Sequence, residues 1–539
     1  MMMDTQLLLP LMMERAEKFF PKKEVVSRTH STVQTFTYLE IAKRTRRLAS
    51  VLTKLGVQKG DKIGTLAWNH HRHLEAYFAI PSIGAVLHTV NLRLSPQHIS
   101  YIINHAEDRF IFVDEDMVPV LEQIQHELTH VQAFIIMTDQ PDIPQTSLFP
   151  VYHYEQLLEE GDEAFPFVKD LNESEPAGMC YTSATTGLPK GVIYTHRSIT
   201  LHSYALGLAD GGNLSEADVC MPVVPMFHVN AWGLPFACTW FGTKLVLPGP
   251  HFNAVVLADL IEKEKVTVTA GVPTIWSDVL QEVEKNPRDI SSLKSIWSGG
   301  SAAPKNMIQT YEEKYKIDFR QIYGMTESSP AVVFNRFKSY QNNLNQEEYY
   351  ELRSRQGCVI PGVEMKVISS EGEVKWNGVD MGELCVRGPW IAGSYYKDER
   401  SEDSMKDGWY HTGDVVTVDE EGSIKIADRT KDLIKSGGEW ISSIDLENSL
   451  MTHEAVLEAS VIAVPHVKWQ ERPIACVVLK ESHKESVSKD ELYAFLTPQF
   501  AKWWLPDDII FMDEIPKTSV GKFLKRALRD QLKSYLIKA

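Results

Sequence analysis

The sequence predicts an α/β multidomain protein. Three features predict it: a length of 539 residues, alternation of strand-like with helix-like segments, and a change of pattern near residue 430. A single hydrophobic core stops growing at roughly 250–300 residues, so a chain this long divides into domains. Hydrophobic residues make up 43% and charged residues 24%, the balance of a packed globular protein and not of a disordered chain.

Residues 38–55 place apolar side chains at helical spacing and stop at Gly56. Residues 61–67 read as a strand, and Asn69 as the N-cap of a helix running through Glu75 and Tyr77. That helix start accounts for His70, His71 and His73, whose spacing differs from the i, i+4 pair of a metal-binding H-E-x-x-H helix. Residues 177–180 and 192–194 are apolar strand-like runs on either side of a polar loop. Residues 266–270 form another β-rich run, followed by Gly271 and a helical segment. Alternation of this kind argues layered α/β architecture. A turn-rich β segment spans 415–427, with Glu420-Glu421-Gly422 in its turn. The domain boundary falls in Asp428-Arg429-Thr430-Lys431-Asp432, dividing residues 1–430 from 431–539. Residues 517–539 hold seven Lys/Arg against one acid, which reads as a solvated helix face in preference to a polyanion contact.

Charge and cysteine usage exclude several classes. The formal net charge of −17 argues against a nucleic-acid partner, which needs a basic footprint. It leaves small anionic substrates open, because a few aimed cations and backbone N–H groups hold a phosphate inside an acidic protein. Cys180, Cys220, Cys238, Cys358, Cys385 and Cys476 include no C-x-x-C pair and form no disulfide framework, so a reducing cytoplasm is expected. No run of 18 apolar residues occurs, and the N-terminus, with Asp4 and Pro10 and no basic segment, does not read as a signal peptide.

The sharpest local pattern is Tyr181-Thr182-Ser183-Ala184-Thr185-Thr186-Gly187-Leu188-Pro189-Lys190-Gly191. Its hydroxyls and backbone N–H groups suit phosphate oxygens, and Lys190 adds a point charge. It is not a G-x-x-x-x-G-K-[ST] loop, and no other segment is. Ser298-Gly299-Gly300-Ser301-Ala302-Ala303-Pro304 follows a strand-like run and falls short of a G-x-S-x-G nucleophile elbow at Ala303. Tyr323-Gly324-Met325-Thr326-Glu327 and Tyr410-His411-Thr412-Gly413-Asp414 each join an aromatic, a glycine and a carboxylate. Pro516-Lys517-Thr518-Ser519-Val520-Gly521-Lys522 sets a lysine behind a glycine near the C-terminus. Taken singly, each is a plausible turn.

In this order, the five motifs resemble the adenylate-forming superfamily of acyl-CoA synthetases, firefly-type luciferases and peptide-synthetase adenylation domains. The resemblance runs from about residue 38 to residue 525. It is strongest toward fatty acyl-CoA synthetases of medium- and long-chain type, through Pro225-Met226-Phe227-His228-Val229-Asn230-Ala231-Trp232 and Ile434-Lys435-Ser436-Gly437-Gly438-Glu439-Trp440. It implies two half-reactions: a carboxylate attacks the α-phosphate of Mg·ATP to give acyl-AMP and pyrophosphate, and coenzyme A then displaces AMP. It also implies a large N-terminal domain, built of two α/β subdomains and a β-barrel-like subdomain, beside a small mobile C-terminal α+β domain. A homodimer is implied as well.

The resemblance further implies roles for individual residues. Thr182, Ser183, Thr185, Thr186, Gly187 and Lys190 would hold phosphates; Ala184 stands where the family usually has glycine. Thr182 and Glu327 would ligate Mg²⁺. Tyr323 would stack on adenine, with the backbone of 299–304, including Gly300, Ser301 and Ala302, along its other side; Gly324 and Thr326 would also bind the nucleotide, with Asp414 on the ribose hydroxyls and Arg429 on ribose or phosphate. Lys435 and Trp440 would complete the nucleotide contacts. Lys522 would bridge the attacking carboxylate and the α-phosphate, with His228 and Glu327 as the other catalytic residues. Val229 and Trp232 would line the acyl pocket. Lys431 would be the hinge about which the small domain turns, and Ser436, Gly437 and Gly438 would line the coenzyme A tunnel. Phe227 is followed by His228, not by the Asp that pairs an α-amino group in peptide-synthetase relatives, which favours a simple carboxylic acid. Two alternatives stand beside a fatty acid ligase: a ligase for aryl or other small acids, and a binding or scaffold homologue that has lost turnover.

Overall fold

The structure is a computed structural model. It describes residues 2–538 except 183–187, 342, 430, 437–438, 485, 519–521 and 534.

Two mixed sheets form the larger part. The first has nine strands, in the order Cys358–Val359, Ala331–Phe334, Asp318–Gly324, Ser295–Ser298, Val268–Gly271, Val219–Pro222, Lys244–Leu247, Glu24–Arg28 and Val33–Thr37. Its central strands run parallel, and antiparallel pairs close both edges. The second has seven strands, from Val151–His153 through Ala133–Met137, Asp108–Asp114, Lys62–Leu66, Val86–Thr89 and Pro176–Tyr181 to Gly191–Thr195. Only its last pair is antiparallel. Parallel strands are covered by helices on both faces, so they read as unbroken apolar runs; Ala133–Met137 is buried at all five positions.

The helix Tyr38–Lys54 forms as its spacing requires. Thr37 and Glu40 close a reciprocal capping box at its start. The helix His71–Ser82 starts one position later than expected, because the His70 side chain, not Asn69, accepts the capping bond from the His73 N–H. Asn69 instead donates to the carbonyls of Pro222 and Val224 and accepts from the Met226 N–H, tying the two large sheets together. The three histidines have separate partners: Asp114 for His70, Ser27 for His71 and Thr65 for His73.

A six-stranded antiparallel sheet, built from Glu364–Ser369, Gly372–Glu373, Gly382–Arg387, Met405–Lys406, Trp409–Val418 and Ile424–Arg429, stands where the barrel-like part is expected. Beyond it, Ile434–Ser436, Glu439–Ile441, Val456–His466, Gln470–Leu479 and Asp508–Phe511 form a separate sheet. Two apolar clusters pack on that sheet, and both draw their members only from residues 434–536. The basic terminal helix Lys525–Leu532 is not a purely solvated face. Lys525 pairs with Glu447 at 2.8 Å, and Arg529 pairs with Asp432. Among the described residues no helix is long and apolar enough to cross a membrane, and all six cysteines are free.

Candidate active site

Four parallel strands of the nine-stranded sheet end at one cavity of about 680 Å³. Each contributes the residues just beyond its C-terminal end: Val224 to Trp232 after Val219–Pro222, Val272 to Ile275 after Val268–Gly271, Gly299 to Ala302 after Ser295–Ser298, and Met325 to Glu327 after Asp318–Gly324. Open α/β sheets bind ligands outside the carboxyl ends of their strands, and this cavity sits there.

The hairpin Pro176–Tyr181/Gly191–Thr195 delivers Thr182 and Lys190 to the cavity rim. The Thr182 N–H donates to the Lys190 carbonyl at 2.9 Å, and the Lys190 N–H to Thr182 Oγ1 at 3.1 Å, which closes the neck of the loop. Ser183, Ala184, Thr185, Thr186 and Gly187 lie outside the described residues. The Lys190 ammonium stands 4.3 Å from the ring centroid of Tyr395, and the Tyr395 hydroxyl donates to Glu327 Oε1 at 2.7 Å. Tyr194 donates to the Thr326 carbonyl at 2.7 Å and fixes the turn that carries Glu327.

Asp414 reaches the cavity through a β-bulge. Cys385 pairs with His411 and Glu383 with Val415, so Thr412, Gly413 and Asp414 oppose Leu384 alone. The Thr412 hydroxyl donates to the Leu384 carbonyl at 2.8 Å, and the Gly413 N–H to Glu383 Oε1 at 3.0 Å. A bulge of this kind re-aims side chains. Here it turns the Asp414 carboxylate toward Tyr323, whose hydroxyl donates to Oδ2 at 2.6 Å, and toward Arg429 Nε, 3.3 Å from Oδ1.

Lys522 enters from the C-terminal part, on the segment between the strand Asp508–Phe511 and the helix Lys525–Leu532. Its Cε lies 3.2 Å, and its Nζ 3.9 Å, from the point where a Cβ on Gly300 would stand. Gly300 has φ +88°, so glycine provides both the turn and the space. Burial and the nearby Arg429 push the Lys522 ammonium down to about 8, against the opposing pull of Asp414 and Glu327.

The apolar end of the cavity is built on an unusual backbone. Val229, Asn230, Ala231 and Trp232 have φ of 46°, 51°, 49° and 58°, and Gly233 continues at 75°, a left-handed turn made mostly of non-glycine residues. Left-handed helix costs about 1–2 kcal/mol per ordinary residue, so the surroundings must enforce it. All four residues are buried. The Asn230 side-chain oxygen accepts from Thr89 at 3.3 Å and from Cys180 at 3.2 Å. The turn points Val229 and Trp232 into the cavity and sets the Trp232 ring against Gly299. Burial, with Lys522 and Arg93 nearby, lowers His228 to about 3, so its ring is neutral at physiological pH.

The cavity therefore gathers Thr182, Lys190, His228, Val229, Trp232, Gly300, Ser301, Ala302, Tyr323, Gly324, Thr326, Glu327, Asp414, Arg429, Lys431 and Lys522. Lys435, Ser436 and Trp440 stand apart from its lining. Lys435 lies 4.6 Å from the Trp440 ring centroid across a strand pair, and Ser436 accepts from Arg472 at 3.0 Å. Gly437 and Gly438 lie outside the described residues. Sequence reasoning missed Tyr395, which links Lys190 to Glu327, and Arg93 at the apolar end. Neither sits in a motif, and only the packing of distant segments brings them in.

Comparison with known proteins gives the same picture. Residues 13–396 match the family model described as AMP-binding enzyme, and residues 445–522 match that of the AMP-binding enzyme C-terminal domain. A long-chain-fatty-acid–CoA ligase of Thermus thermophilus is 50% identical, over 99% of this chain and 97% of its own length. A 3-methylmercaptopropionyl-CoA ligase of Ruegeria lacuscaerulensis is 43% identical, over 99% of each. A crystal structure of an anthranilate CoA ligase with bound anthranoyl-AMP superposes with TM-score 0.87, covering 98% of both chains, at 24% identity, a likeness of fold.

Proposed function

The chain belongs to the family of AMP-binding enzymes, and on that premise we propose that it is an AMP-forming acid–thiol ligase that converts a fatty acid, ATP and coenzyme A into acyl-CoA, AMP and pyrophosphate. The observation that carries this reading is the meeting of Lys522, from beyond the domain boundary, with Glu327, Asp414, Tyr323 and Lys190 in one cavity that ends in apolar walls.

The chemistry needs no protein nucleophile. A carboxylate oxygen bonds to the α-phosphorus, and the bond to the bridging oxygen breaks, leaving pyrophosphate. The obstacle is repulsion between two anions, and cations positioned in advance lower it. The Lys522 ammonium lies between the nucleotide and acyl ends and would neutralise both reacting groups. Lys190 and the loop beginning at Thr182 would hold the β- and γ-phosphates, Tyr323 and the 299–302 backbone the adenine, and Asp414 the ribose hydroxyls. Glu327 and Thr182 offer only oxygen donors, the set that suits a hard cation, so they would hold Mg²⁺, which supplies charge neutralisation at the phosphates. In the second half-reaction the coenzyme A sulfur bonds to the acyl carbon, its thiol proton passes to solvent, and AMP leaves with the electrons of the broken acyl–oxygen bond.

Glu327 and Asp414 are the only carboxylates among the described lining residues, and both belong to the nucleotide end. An α-amino group at the acyl end would lack a counter-ion there, which supports an uncharged acyl chain packed on Val229, Trp232 and Ile275. A homodimer and a cytoplasmic location belong to the same reading; sedimentation as a monomer at working concentration removes the dimer.

The test is pyrophosphate and AMP release from Mg·ATP with saturated fatty acids of graded length, with and without coenzyme A. Pyrophosphate with medium or long chains, and acyl-CoA when the thiol is present, is the expected result. Activity with aryl acids alone moves the substrate to the aromatic class. Silence with both panels overturns the ligase reading.

A further inference from the structure

The strand pair that carries Asp414 also gathers three metal-ligating side chains that the proposed reaction does not use. Glu383 and Cys385 are two apart on Gly382–Arg387, so they share one face of the sheet. His411 is the residue directly paired with Cys385 on Trp409–Val418. Their donor atoms converge: His411 Nδ1 lies 3.4 Å from Cys385 Sγ and 3.0 Å from Glu383 Oε2. In a tetrahedral zinc site with Zn–S of about 2.3 Å and Zn–N and Zn–O of about 2.0 Å, the S···N and N···O edges are about 3.5 and 3.3 Å. The observed edges fall within a few tenths of an ångström of those values.

We propose that Glu383, Cys385 and His411 form a binding site for a thiophilic divalent cation of the Zn²⁺ class, with water at the fourth position. Three features beyond the edge lengths support it. The Cys385 side chain is buried, while those of His411 and Glu383 are 21% and 32% exposed, which gives the ion an entry path and room for the water. The Gly413 N–H binds the other Glu383 oxygen, Oε1, and so orients the carboxylate as outer-shell partners of metal ligands do. Coordination through Oε2 leaves that bond intact, so the cation and the bulge that carries Asp414 coexist. On binding, the Sγ proton passes to solvent as the metal–sulfur bond forms. A thiolate–imidazole–carboxylate set selects zinc-like ions over Mg²⁺, which demands oxygen ligands, so millimolar Mg²⁺ leaves the site available.

Co²⁺ titrated into the full-length, reduced, metal-free protein is the probe. The expected result is one equivalent bound, with a thiolate-to-cobalt charge-transfer band that one equivalent of Zn²⁺ abolishes. Cys385→Ser is expected to remove the band, and His411→Ala and Glu383→Gln to weaken Zn²⁺ binding by at least tenfold, each with wild-type far-ultraviolet circular dichroism. The other cluster of three donors among the described residues, His30, Asp116 and His251, contains no sulfur and cannot give the band. Absence of a charge-transfer band in the wild type, or its persistence in Cys385→Ser, overturns the proposal. If His411→Ala fails to fold, Cys385→Ser still decides the matter alone, because serine keeps the size and loses the soft ligand.

Discussion

Lys522 keeps its charge only below about pH 8, because burial and the charge of Arg429 disfavour the ammonium more than Asp414 and Glu327 favour it. The proposed role needs the protonated form, so activity should be present below that value and lost as pH rises through it. kcat/KM for ATP in the pyrophosphate-forming step reports the free enzyme and is expected to fall on the alkaline side with a midpoint near 8. A guanidinium does not deprotonate in this range, so Lys522→Arg is expected to run slower overall but to lose the alkaline limb. Lys522→Ala is expected to abolish acyl-AMP formation while thioester formation from supplied acyl-AMP survives; equal loss in both steps would remove the assignment. The position of Lys522 as a motif residue is legible in the sequence, but its environment is not. Arg429, Asp414 and Glu327 lie far away in the chain, and their combined field is a product of the fold. For the same reason Tyr395 and Arg93 escaped notice while Glu327 and Asp414 did not.

The left-handed turn at 229–232 reverses the usual cost of glycine. In a right-handed helix, glycine is about 1 kcal/mol worse than alanine, whereas at positive φ the alanine is the strained residue. Ala231 (φ 49°) and Ala237, in the ordinary helix Leu234–Phe241, are both fully buried, so each loses the same methyl group on mutation to glycine. Ala237→Gly is therefore expected to lower the urea midpoint by the equivalent of about 1–2 kcal/mol more than Ala231→Gly does. Equal losses would mean that the turn stores no strain. Nothing in Val229-Asn230-Ala231-Trp232 announces this backbone, since a β-branched residue and a tryptophan are poor candidates for positive φ. Thr89 and Cys180, far away in the chain, hold Asn230 within it. The bulge at Thr412, Gly413 and Asp414 was hidden in the same way. Strand content is readable from residue type, but register depends on the partner strand. By contrast, the helix Tyr38–Lys54 and the hairpin around Thr182 follow directly from apolar spacing and turn chemistry.

Across the molecule, the apolar clusters of residues 434–536 are separate from those of the larger part, while Lys522 and Lys431 reach the shared cavity. A body with its own core, joined through one short segment and sharing one cavity, is suited to turn as a unit. Within that segment the N–H groups of Asp432 and Leu433 both donate to the Arg429 carbonyl at 2.8 Å. Lys431→Pro fixes φ within it. The expected outcome is near-normal pyrophosphate release with acyl transfer to coenzyme A reduced at least tenfold; unimpaired transfer would put the pivot elsewhere. The motif order made the two-part organisation legible, but the separation of the cores required knowing which strands pair.

The nine-stranded sheet also constrains how the chain is made. Glu24–Arg28 pairs on one side with Val33–Thr37, which follows it at once, and on the other with Lys244–Leu247. Lys244 and Glu24, joined by an ion pair across that seam, are 220 residues apart. At a synthesis rate of ~5–20 residues per second, the early hairpin waits on the order of ten to forty seconds for the strand that covers its open edge. Throughout that interval the nascent polypeptide carries an unpaired β-edge, the kind that pairs with other chains. The vulnerable moment in the life of this protein thus falls on the ribosome, well before Lys522 has been translated.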